Sequence, residues 1–137
     1  MSEVQPITTV RPDLDIREDI ITIIAKYPPL AADRFHIEVN VVNGEVILTG
    51  HVSSPINRTY LVDFAALVEG VQKVDTRHFY DDESLRLAAG RLVPQGTSVN
   101  VRFGVVLLSG VPVGDNVDAI AQAVAALPGV IRVIVSG

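Results

Sequence analysis

The sequence predicts an α+β fold of two αββαβ modules, each with two helices packed on one face of a small three-stranded mixed sheet. Three observations lead there. The string VVNGEVILTG at 41–50 returns as VRFGVVLLSG at 101–110, a helical pattern precedes each copy, and a glycine-ended helix followed by valine-rich residues closes each one.

Placing Gly44 on Gly104 aligns Val39, Asn40 and Val41 with Val99, Asn100 and Val101, and Val46, Leu48 and Gly50 with Val106, Leu108 and Gly110. One deleted residue later, Ala66, Gly70, Val71, Lys73 and Val74 face Ala125, Gly129, Val130, Arg132 and Val133. The chain is an internal duplication.

In copy one, DIREDIITIIAKY sets Ile16, Ile20, Ile23, Ile24 and Tyr27 at helical spacing, with acids in the first turn, and Pro28 and Pro29 end the helix. Asn43 and Gly44 make a primed hairpin turn. Ser54 caps the next helix, with Pro55 at its first position. VEGVQKV then ends that helix at Gly70 and opens a third strand. Copy two repeats the plan: DDESLRLAAGRLV is a helix stopping at Pro94, the link to the hairpin is trimmed, Asp115 caps the second helix, and LPGVIRV ends it at Gly129.

This element order, with V-x-V-x-x-G-x-V-x-L-x-G carried by Val39, Val41, Gly44, Val46, Leu48 and Gly50, resembles the BON domain of bacterial osmotic-shock and nodulation proteins. The resemblance divides the chain into a tail at 1–12, a first module at 13–80 and a second at 81–137. Gly44, Gly50, Gly70, Gly104, Gly110 and Gly129 are its structural motif residues. It implies a non-enzymatic protein without a cofactor that binds phospholipid or other envelope components under osmotic or envelope stress, with a cytoplasmic self-assembling scaffold or protein-interaction module as the alternative and an ion or small-ligand sensor as the third reading.

The hairpin register fixes the faces. With Val41 opposite Val46 and Val39 opposite Leu48, copy one turns Ile37, Val39, Val41, Val46 and Leu48 inward, and Glu38, Asn40, Glu45, Thr49, Lys73, Asp75 and Arg77 outward. The same parity in copy two turns Val99, Val101, Phe103, Val106, Leu108, Val133 and Val135 inward. It leaves Val105, Leu107, Val111 and Ile134 outward beside Asn100, Arg102 and Arg132.

An apolar outer face needs a cover. Copy one folding over it within the chain, self-association into a homo-oligomer, and contact with a membrane or protein partner are the alternatives. Residues 13–80 carry six basic and ten acidic side chains and residues 81–137 carry four and five, and Ala119–Val130 has no charge. Copy two is therefore the expected contacting half. Arg86, Arg91, Arg102 and Arg132, with Val105, Leu107 and Ile134, are the expected lipid or partner surface.

Catalytic spacings are missing. No nucleophile stands near a base, and the glycine-bounded strands lack the GK[ST] ending of a phosphate loop. His36 opposite His51, with Glu38 on the same face, is a weak zinc or copper candidate; the alternative is two solvent-facing imidazoles. His78 is expected to be partly buried on the third strand. Asp81, Asp82 and Glu83 read as helix N-terminal acids.

A chain of 137 residues, 48% hydrophobic and without cysteine, can bury a core with no disulfide or cysteine-bound metal. A net charge of −5 argues against nucleic acid as a partner and against adhesion to anionic membranes through the whole surface, and leaves binding to a local basic patch. MSEVQPITTV lacks the basic start and apolar core of an export signal. The expectation is a cytoplasmic protein, or a periplasmic one if a signal has been removed.

Overall fold

The structure is a computed structural model that describes residues 10–112 and 114–136. Helix α1 (Asp13–Lys26) buries the Ile16, Ile20 and Ile24 stripe that its spacing predicts. Tyr27 is extended, which breaks the helix, but the two prolines then start one: α2 (Pro28–Asp33) has proline in its first turn, where no N–H is needed and the fixed φ suits a helix. A 3-10 turn (Arg34–His36) leads into β1 (Ile37–Val42).

Strand β2 (Glu45–Val52) pairs antiparallel with β1 in the expected register, Val41 on Val46 and Val39 on Leu48. Asn43 (φ 52) and Gly44 (φ 79) hold the left-handed backbone of the primed turn. Helix α3 (Pro55–Ala66) is capped by the Ser54 hydroxyl, which accepts the N–H of Asn57 at 3.2 Å. Strand β3 (Lys73–Asp81) lies parallel to β2, giving sheet order β1-β2-β3.

A bulge corrects the third strand. Ile47 pairs with Asp75 but Thr49 with His78, so one extra residue enters β3. Everything beyond it changes face. His78, expected to be partly buried, is exposed, and Phe79 fills the core instead, a burial that stabilises by roughly 1.5–3 kcal/mol.

Strand β3 runs into α4 (Asp82–Gly90) without a linker, and Asp81 caps α4 through the N–H and hydroxyl of Ser84, both at 2.8 Å. Then come β4 (Ser98–Arg102), β5 (Val105–Ser109), α5 (Val117–Ala125) and β6 (Arg132–Ser136), in sheet order β4-β5-β6. The trimmed link is accounted for: nothing equivalent to α2 and the 3-10 turn lies between α4 and β4. Asn116, not Asp115, caps α5, accepting the N–H of Ala119 at 3.0 Å.

One device is repeated in both halves. The carboxylate of Asp13 accepts the turn N–H groups of Asn43 and Gly44 at 2.8 and 2.9 Å. That of Asp82 accepts those of Phe103 and Gly104 at 2.7 and 3.1 Å. These acids tie each first helix to its hairpin, satisfying amides that a tight turn leaves unpaired.

Two cores result. Among the described residues the first gathers Ile16, Ile20, Ile24, Leu30, Val39, Val46, Leu48, Val52, Leu61, Ala65 and Phe79, and the second gathers Ala89, Val106, Leu108 and Val124. Two face assignments in the second half change, and one inner residue is exposed. Val111, expected outside, packs against the second core. Val135 pairs with buried Leu108 on the inner side but is exposed, because β6 is an edge strand. Phe103, expected inside, takes the turn position of Asn43 with φ 49.

Candidate binding surface

The outer face of the second sheet is built in rows by the strand register. Arg102, Val105 and Arg132 are cross-strand partners, and so are Asn100, Leu107 and Ile134, and Ser98, Ser109 and Ser136. An arginine-flanked valine, an apolar pair and a serine row follow one another down the sheet. Leu107 is 38% and Ile134 41% exposed. The first half therefore does not cover this face, which removes the intrachain alternative.

The four arginines do not form one group. Arg102 and Arg132 lie on the outer face, at either side of Val105. Arg86 sits on α4 and is tied to Glu83 at 2.7 Å, a hydrogen bond that lowers the Glu83 carboxyl below its ordinary range. With Asp33, Asn100 and Arg102 it lines a cleft of about 400 Å³ between the halves. Arg91 is exposed at the far end of α4. The surface thus reduces to Arg102, Val105, Leu107, Arg132 and Ile134.

The histidines go elsewhere. His36 ends the 3-10 turn and stacks on Phe103, with centroids 3.6 Å apart. His51 is buried, and its Nε2 lies 2.6 Å from the Gly129 carbonyl oxygen, to which it donates in the corresponding tautomer. Both contacts reach across to the second half. Among the described residues no three His, Asp or Glu side chains gather as metal ligands, so the weak zinc or copper candidate becomes a joint between modules. The joint ends in glycine: a Cβ on Gly129 would meet the Tyr80 ring at 2.6 Å.

The remaining motif glycines serve the same corners. Gly44 and Gly104 complete the hairpin turns, Gly70 follows α3 as Gly129 follows α5, and Gly50 backs directly onto the His36 carbonyl. Gly110 follows β5.

Sequence reasoning expected the sticky surface in copy two alone. The first half exposes larger apolar groups: Phe35 at 82%, Ile56 at 73% and Leu67 at 78%. The signal was present in α3, where Ile56, Tyr60, Phe64 and Leu67 form a second helical stripe beside the buried Leu61 and Ala65.

Comparison with known proteins agrees with this architecture. Residues 12–78 match the BON domain family, and no curated protein matches the chain. The C-terminal domain of CdsD, the structural protein of the type III secretion system of Chlamydia trachomatis, superposes with a TM-score of 0.70 at 15% identity, over 90% of this chain and 65% of that one. A second CdsD structure gives 0.64 at 13% identity, over 90% and 61%. The chain spans less than two thirds of the length of either, and at such identities the likeness is one of fold.

Proposed function

We propose, from the premise that residues 12–78 form a BON domain, that the chain is a non-enzymatic tandem BON protein that binds anionic phospholipid through its second module. The repeated turn-capping acids, Asp13 and Asp82, support reading the second half as the same module as the first. The observation that carries the ligand is the row Arg102–Val105–Arg132 beside Leu107 and Ile134. Two cations flank an uncovered apolar strip, the arrangement that lets guanidinium groups meet headgroup phosphates while short aliphatic chains enter the interface. Among the described residues no helix is long and apolar enough to cross a membrane, so the contact is peripheral, and we place it at a cytoplasmic membrane face.

Co-sedimentation with anionic and neutral phospholipid vesicles tests this. Wild type pellets with anionic vesicles at low salt and is released at high salt. Each arginine near such a surface contributes about 1 kcal/mol, so Arg102→Gln with Arg132→Gln weakens binding about thirtyfold. Equal pelleting with neutral vesicles, or none with either, defeats the proposal.

A protein partner on the same face is the second reading, favoured by the Ser98, Ser109 and Ser136 row, which offers hydrogen bonds at one end of the strip. It also fits the role of CdsD as a structural protein. A photo-crosslinker at position 107 separates the two, giving lipid adducts in one case and a discrete protein adduct in the other.

A further inference from the structure

Helices α3 and α5 occupy equivalent places in the two modules, and their outer faces differ in side-chain size. Counting back from Gly70 and Gly129, Leu61 and Ala65 fall on Ile120 and Val124, and these four face the cores. On the outer side, Tyr60, Phe64 and Leu67 fall on Ala119, Ala123 and Ala126. The first module presents large side chains where the second presents methyl groups.

Both faces are uncovered. On α3, Ile56, Phe64 and Leu67 are exposed, and half-buried Tyr60, stacked on Tyr27 at 3.8 Å and tilted against Phe64 at 4.5 Å, is pre-set in orientation. A shallow groove of about 420 Å³ runs along Pro55, Ile56, Thr59, Tyr60, Asp63 and Phe64. On α5, Ala119, Gln122, Ala123 and Ala126 are all exposed, and no charge interrupts the stretch from Ala119 to Val130.

We infer that the α3 stripe of one copy docks on the α5 face of a second copy. A helix of alanines lets another helix approach closely, and aromatic and leucine side chains supply the volume that its surface lacks. The second copy is the occupant because its exposed α5, beyond Asp118 in the first turn, carries the small, uncharged complement of α3. Two α3 stripes facing each other would crowd large groups on large, and two α5 faces would leave little to bury. The contact is therefore head-to-tail, each copy using a different surface, and it propagates into a ring or an open row. Both helices lie on the inner side of their sheets, so the row Arg102–Val105–Arg132 stays free. The inference stands apart from the lipid reading.

Light scattering and sedimentation velocity on the full chain test it. Wild-type mass rises above the monomer between about 10 and about 500 μM. Leu67→Glu and Ala123→Glu each stay monomeric, with unchanged circular dichroism because both positions are exposed. Mixed together they form a dimer and nothing larger, since one intact α3 stripe and one intact α5 face remain between them. A monomeric wild type across that range overturns the inference. So does self-association of Ala123→Glu that matches wild type, or a mixture that fails to pair when both variants are folded.

Discussion

His36 lies flat on Phe103, the ring centroids 3.6 Å apart and the planes 5° from parallel. The stack explains an unusual turn. Phe103 holds φ 49 where the first module has Asn43 at φ 52. Asparagine tolerates the left-handed region, whereas a bulky residue there loses about 1–2 kcal/mol. An aromatic stack of about 0.5–1.5 kcal/mol offsets much of that. His36→Ala should therefore destabilise the wild type by about 1 kcal/mol in urea unfolding, and have little effect in a Phe103→Asn background. Equal losses in both backgrounds would mean that the stack contributes nothing.

This joint also marks where sequence reading stops. Asn43-Gly44 announces its own turn, and the register that follows from it is the one observed. Ser54-Pro55 likewise announces a helix start. Phe103 has no such signature, because an aromatic side chain in a left-handed turn is a tertiary choice made by His36. The β3 bulge is equally silent: alternation assigns His78 to the core until one inserted residue exchanges it for Phe79. Arginines were legible as a composition but not as a surface, since only register and helix position separate Arg102 and Arg132 from Arg86 and Arg91.

Gly129 should resist any side chain. Its φ is 91, and a Cβ would come within 2.6–2.9 Å of three atoms of the Tyr80 ring. Backbone strain and overpacking together put Gly129→Ala at about 2–4 kcal/mol. Gly96→Ala is the control: its φ is also 91, but nothing lies within 4 Å of the added carbon, so only the strain of about 1–2 kcal/mol is expected. Thermal unfolding compares the two. Adding Tyr80→Ala to Gly129→Ala should return part of the loss, the mark of two residues coupled by one contact.

Asp75 should titrate far below an ordinary carboxyl. The Arg77 side chain donates to both of its oxygens, at 2.7–3.2 Å, and the Arg77 backbone N–H adds another bond at 3.0 Å. The side-chain bonds are the chief reason that its pKa falls to about 2 from 3.8. Because the folded value is the lower one, the pair's contribution is present above pH 3.8, the unfolded value, and is lost as pH falls through about 2. The Arg77 side chain is 80% exposed although that of Asp75 is only 11% exposed, and water around the guanidinium screens the pair, so that contribution is small. Carboxyl carbon shifts followed by NMR should show the low midpoint, and Arg77→Ala should move it back toward the ordinary range. A midpoint unmoved by Arg77→Ala would assign the depression to another cause.

Leu107 and Leu108 are adjacent on β5 and should behave as opposites. Leu107 pairs with Asn100 and Ile134 on the uncovered face, and Leu108 with Val99 and Val135 on the inner one, at 0% exposure. Leu108→Ala leaves a void in a core whose other buried members among the described residues are Ala89, Val106 and Val124, and the expected loss is about 2–5 kcal/mol. Leu107→Asp, despite its charge, should change stability by no more than about 0.5 kcal/mol, as surface substitutions do. Chemical denaturation of both variants measures the difference directly. Unfolding by Leu107→Asp would show that the outer face is covered in solution by another copy, and would withdraw it as a free binding surface.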